Sequence, residues 1–139
     1  MHPPTPYEHT VRAEAADIDR LGHVNNVVYL RWVQDIAIAH WRTLASPEHQ
    51  ADTVWMALRH EIDYKAQALE GDEILVRTWI GTAEGLRFER FTEMLRHADR
   101  KLLAQARTLW CPIDPRSGRP KRVPPEIHQL FSASASKES

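Results

Sequence analysis

The spacing of apolar residues along this chain changes period twice. "YEHTVRAEA" alternates weakly, with Tyr7, His9, Val11 and Ala13 on one side, and predicts a first strand behind a Pro-rich lead-in over 1–6. "DIDRLGHVNN" carries turn formers and no period of its own. From Asn26 to about Leu44 the spacing becomes helical. Val28, Trp32, Ile36 and His40 form one i,i+4 row, and Tyr29, Val33, Ala37 and Trp41 form the next. Two adjacent rows make a broad apolar face. Asn25 or Asn26 can cap this helix by accepting a free N–H of its first turn, and Ser46-Pro47 ends it.

After a short polar loop the period drops to two. In "TVWMALRHEIDYKA", Val54, Met56, Leu58, His60, Ile62 and Tyr64 alternate with Trp55, Ala57, Arg59, Glu61, Asp63 and Lys65, which predicts one long half-buried strand. "LEGDE" reads as a turn into the strand "ILVRTWIGTA". Glu84-Gly85 turns the chain into "RFERFTEMLR", and "HADRK" turns it into "LLAQARTLWCPI". Short turns between successive strands predict antiparallel neighbours. A Pro/Gly/basic loop, a short helix over 125–131 and a flexible tail over 132–139 complete the chain. The reading is one α+β domain over 1–139, ordered over about 7–131, with an antiparallel five-stranded sheet covering one long helix. Trp55, Ala57, Trp79, Phe91, Leu95 and Leu109 are expected on the sheet's other face, where a homo-oligomer would bury them.

Composition narrows the function classes. The chain has 139 residues, 42% hydrophobic and 27% charged, which suits one folded domain with a real core. A net charge of −1 gives no basic excess for nucleic acid. No run of apolar residues is long enough to span a membrane, and the N-terminus lacks a signal pattern. Cys111 stands alone, so no internal disulfide forms. A cytoplasmic protein is expected.

The candidate chemistry lies in "DIDRLGHVNN". Asp17-x-Asp19-x-x-Gly22 has the opening of a calcium loop, but Leu21 and Val28 stand at ligand positions, so calcium is excluded. No HExxH pair, phosphate loop or GxSxG is present, and no metal or other cofactor is expected. A helix N-terminus offers free N–H groups and a partial positive charge. It can stabilise an oxygen that gains charge during acyl transfer. Asp19, a few residues upstream, could reach the same carbonyl carbon or a water beside it. The competing reading is an ordinary turn, with Asp19 satisfied by backbone N–H groups.

"DIDRLGHVNNVVYLRW" resembles the signature of hotdog-fold acyl-CoA thioesterases of the 4-hydroxybenzoyl-CoA thioesterase type, and its "HVNN" is similar to a segment of plant acyl-carrier-protein thioesterases. The likeness extends through "EIDYKAQALEGDEILVRTWI" and "GRPKRVPPEI". It implies a hotdog fold, a sheet wrapped around one long helix, in a homodimer or homotetramer that hydrolyses acyl-CoA. It implies that Asp19 is the nucleophile or the general base, and that the backbone N–H near Asn26 polarises the thioester carbonyl. His23 matches the plant enzymes as well and would orient the loop or the carbonyl. Those enzymes have an asparagine where this chain has Leu21, and their acid on the following strand finds its nearest match in Glu61. Asn25 would lock the loop, Tyr29 and Trp32 would be core or pocket wall, and Asp17 would hold backbone amides. Asp35 is expected to be solvated or at an interface, and His60 to be a satisfied core histidine. Arg87, Arg90, Arg116, Arg119, Lys121 and Arg122 are candidates for the phosphates of coenzyme A. A non-catalytic acyl-CoA-binding module and an acyl-carrier-protein thioesterase remain the alternatives.

Overall fold

The computed structural model describes residues 5–137. Five strands form a single antiparallel sheet: β1 (Tyr7–Arg12), β2 (Val54–Tyr64), β3 (Glu73–Glu84), β4 (Arg87–Arg96) and β5 (Leu102–Ile113). Their order across the sheet is β1-β3-β4-β5-β2, which leaves β1 and β2 at the edges. The long helix α1 (Asn26–Leu44) packs on one face. All eight members of its two predicted apolar rows are buried. Val28, Tyr29, Trp32, Val33 and Ile36 among them cluster with Ile74 and Val76 of β3, Met94 of β4, and Leu103, Ala104 and Ala106 of β5. A second cluster joins Trp41 and Ala45 to Phe88, Val123 and Ile127 at the far end of the helix.

The sequence expectation fails at four places. First, β2 and β3 are not neighbours: β2 pairs with β5, and β3 lies between β1 and β4. The segment 65–72 is a crossover that passes the start of α1 rather than a hairpin turn. Lys65 and Ala66 donate to the Leu103 carbonyl, and Ala68 accepts from the Val24 N–H. Second, β2 carries a bulge. Ala57 faces Trp110 and Arg59 faces Leu109, so Leu58 is the extra residue and the two halves of the strand change phase. Trp55 and Ala57 therefore share the helix-facing side with His60 and Ile62, while Val54, Met56 and Leu58 are exposed. Trp55 packs against Trp41 and Phe88 instead of lying on the outer face.

Third, the loop after α1 contains a short helix, α2 (Pro47–Asp52). Ser46 caps it through Oγ, which accepts from the His49 N–H, and Pro47 sits where its missing N–H costs nothing. Fourth, the final helix α3 (Pro125–Lys137) continues past Phe131, because no glycine or proline follows Pro125 to stop it. Part of the expected lead-in, 1–4, and the end of the expected tail, 138–139, lie outside the described residues.

Candidate active site

The loop before α1 is built by its own short polar side chains. Asp19 Oδ1 accepts from the N–H groups of Leu21 (2.9 Å) and His23 (3.2 Å). The Asp19 N–H donates to the His23 carbonyl at 2.8 Å, closing the loop. Gly22 makes this tight reversal with φ +83, a conformation that costs other residues steric strain. Both side-chain bonds of Asp19 fall on Oδ1, so Oδ2 points to no donor among the described residues. Asp19 is half-buried.

Asp17 is buried behind this loop. Oδ2 accepts from the Glu14 N–H at 2.9 Å, and Oδ1 accepts from Arg31 at 3.0 Å. Burial by itself would raise its pKa; the Glu14 N–H and the Arg31 guanidinium outweigh it and hold the carboxyl below its ordinary value. Asp17 is thus the structural acid of the pair. Its carbonyl accepts the Asn25 N–H, which sets the entry angle of the helix.

Asn25 is the N-cap, and its Oδ1 accepts from the Val27 N–H at 3.0 Å. The Val28 N–H donates to the Asn25 carbonyl. The Asn26 N–H has no partner among the described residues and stays available at the positive end of a 19-residue helix. Tyr64, at the end of β2, donates its hydroxyl to the Asn26 carbonyl at 3.2 Å. Tyr29 is buried, and its hydroxyl accepts from the Ala68 N–H at 3.1 Å, tying the crossover to the helix. A half-buried carboxylate and a free helix-terminal donor thus flank the same loop.

Residues 13–131 match the thioesterase-like superfamily. The chain belongs to the thioesterase-like superfamily. The chemistry that membership assigns is thioester hydrolysis, and the architecture is the hotdog fold. Solved structures share that fold at low sequence identity. Slr0204 of Synechocystis, a 1,4-dihydroxy-2-naphthoyl-CoA thioesterase, is 22% identical, with a TM-score of 0.79 over 91% of this chain and 95% of its own. SAV2348 of Staphylococcus aureus, solved in complex with CoA, is 15% identical, with a TM-score of 0.83 over 98% of this chain and 87% of its own. The dynemicin thioesterase is 22% identical, with a TM-score of 0.82 over 92% of this chain and 96% of its own. No curated protein matches this superfamily member in sequence.

The other residues singled out in the sequence scatter. His23 joins the loop through its backbone; its imidazole makes no hydrogen bond among the described residues. Trp32 lies in the core beside Tyr29. Glu61 is on the outer face of β2, ion-paired with Arg59 and Arg107 at 3.1 Å each. Arg87 is exposed at the β3–β4 turn, and Arg116 pairs with Asp52 at 3.5 Å in the loop after β5. His60 is half-buried; its Nδ1 lies 3.1 Å from Thr108 Oγ1, and burial lowers its pKa.

Two features escaped the sequence. A cavity of about 660 Å³ opens between the second half of α1 and the first half of β2. Asp35, Ile38 and Arg42 of the helix line it, with Met56 and Ala57 of the strand. Arg90, grouped in the sequence with the candidates for the phosphates of coenzyme A, is buried on this cavity's wall at 4% exposure. The signal was present in "RFERFTEMLR": Arg90 keeps the inward phase of Phe88, Thr92 and Met94.

Proposed function

We propose that this superfamily member hydrolyses an acyl-CoA thioester at the loop before α1. The observation that carries the reading is the pairing of Asp19, fixed through one oxygen, with the unbonded Asn26 N–H at the helix start. In the general-base route, Asp19 takes a proton from water, the water oxygen bonds to the carbonyl carbon, and the carbonyl oxygen becomes an oxyanion held by the Asn26 N–H. Collapse breaks the C–S bond, and the CoA thiolate leaves and takes up a proton. In the nucleophilic route, Asp19 bonds to the carbon itself and water cleaves the resulting anhydride.

The cavity lines the half of α1 remote from Asn26. At 1.5 Å rise per residue, Ile38 lies ~18 Å along the helix from Asn26. A second copy supplies the connection. The β2 edge is open and carries Val54, Met56 and Leu58 exposed. Antiparallel pairing of two β2 edges about a two-fold axis sets the partner's Val54 end against Tyr64, whose hydroxyl bonds the helix start. One chain's Asp19 then faces its partner's cavity, and the acyl group lies across the interface in a homodimer or a homotetramer built from it.

The test is thiol release from short, medium, long and aromatic acyl-CoA esters, with Asp19→Asn and Asp19→Ala alongside. Turnover is expected to fall by orders of magnitude in both variants with the fold intact. Normal release by a folded Asp19→Ala protein sinks the assignment. Single-turnover reaction in heavy-oxygen water tests the nucleophilic route: a first product free of heavy oxygen, with the label on Asp19, shows an anhydride cleaved by water at the aspartyl carbon.

A further inference from the structure

Arg90 is a cation that the fold does not neutralise. It forms no ion pair among the described residues. Its Nη1 donates to His40 Nδ1 at 3.0 Å and to Thr78 Oγ1 at 3.1 Å, both neutral acceptors. Its Nε is buried with no partner. Burial lowers its pKa to about 9, which still leaves it charged at neutral pH. Burial and the Arg90 charge push His40 down to about 3, so the pair keeps one positive charge. An unpaired buried charge is expensive, and an apolar side chain would serve packing better at this position.

The cavity wall carries side-chain acceptors on Gln34, Asp35, Gln50 and Thr53, none of them bonded to Arg90, and further donors without partners. Trp55 and Trp110 line the same cavity, and each has its indole Nε1 buried without a partner. Three orphaned donors, Arg90 Nε and two indole N–H groups, therefore belong to side chains that line one cavity. The wall also includes the rings of Trp41, Phe88 and Phe131, with Phe131 5.8 Å from the Arg90 guanidinium carbon. The acid on this cavity, Asp35, is exposed and forms no ion pair with Arg90. An occupant that satisfies this wall must bring oxygen acceptors and a negative charge past an apolar lining.

We propose that Arg90 receives a carboxylate at the far end of the acyl group, so that the substrate is the CoA thioester of a dicarboxylic acid. This rests on the thioesterase reading above. The apolar rings hold the methylene or aryl body between the two carbonyl carbons, while the carboxylate takes the Arg90 and indole N–H groups.

The experiment compares kcat/KM for succinyl-, glutaryl-, adipoyl-, suberoyl- and sebacoyl-CoA with methyl-ended acyl-CoA esters of the same lengths. It uses the wild type, Arg90→Met, Arg90→Lys and Trp110→Phe. Calorimetry measures binding of the free dicarboxylates to the same proteins. At the best-fitting length the carboxyl-ended ester should be preferred on the order of tenfold to a hundredfold, the worth of a hydrogen bond to a charged group. Arg90→Met should abolish or reverse that preference while methyl-ended esters are still cleaved, and Arg90→Lys should retain part of it. Equal or better use of methyl-ended esters at every length by the wild type overturns the proposal. So does a free dicarboxylate that binds without competing with acyl-CoA. If no CoA ester is cleaved, Arg90-dependent binding of a dicarboxylate upholds the anion site and the thioesterase reading falls; absence of such binding overturns both.

Discussion

Asp17 and Asp19 are two residues apart, yet the fold gives them different surroundings. Asp17 spends both oxygens on Glu14 and Arg31 and is buried, whereas Asp19 fixes one oxygen and keeps the other open. The spacing in the sequence marks both acids but cannot rank them, since the ranking depends on Arg31 reaching back from α1 across a separation of 14 residues. His40 shows the same dependence on surroundings and leads to a pH prediction. Its pKa is about 3 in the folded chain against 6.5 ordinarily. Between those values the unfolded chain binds a proton that the folded chain refuses, so stability falls as pH drops through that window and is level above it. Urea titrations across pH should show this limb, and His40→Gln should flatten it. Asp17 acts lower: its contribution is present above the ordinary carboxyl pKa and is lost as pH falls through its depressed folded value. Parallel acid limbs in wild type and His40→Gln would contradict the assignment.

At the scale of elements, α1 was readable because two complete i,i+4 rows predict a buried face without reference to any neighbour, and all eight residues are buried. β2 was misread for a physical reason. Strict alternation assumes one residue per pleat, and Leu58 is an extra residue that no local property of "MALRH" betrays. The crossover over 65–72 looked like a turn because "LEGDE" is turn-forming; what makes it a crossover is its attachment to Leu103, Tyr29 and Val24, all distant in sequence. The loop signature was legible down to its capping residue, whereas the cavity was not, because it exists only where α1 and the first half of β2 meet. Deleting Leu58 should leave both halves of β2 in their present phase, so the variant should fold with a melting temperature near the wild type. Deleting Ile62, which is paired with Ala106, should turn the end of the strand inside out and prevent folding. Circular dichroism melts of the two deletions distinguish these outcomes; equal damage would show that the bulge itself is needed.

For the whole molecule, the proposed two-chain site makes a complementation prediction. Asp19→Asn removes the chemistry, and Ala57→Trp fills the cavity, so each protein alone should be inactive. A refolded equal mixture contains heterodimers in which one site combines an intact Asp19 with an intact partner cavity. Statistical assembly should restore about a quarter of wild-type thiol release. A mixture that stays inactive although heterodimers form would place acid and cavity in one chain.

The distance along α1 between its capped start and the cavity has one more consequence. Under the proposed two-chain reading, a chain with Asp19 at one end of α1 and the cavity at the other contains two half-sites and no whole one. Dilution would then work as an off-switch. Below the concentration at which the β2 edges meet, the protein would persist folded but idle, and the amount of it a cell makes would set whether thioesters are cleaved at all.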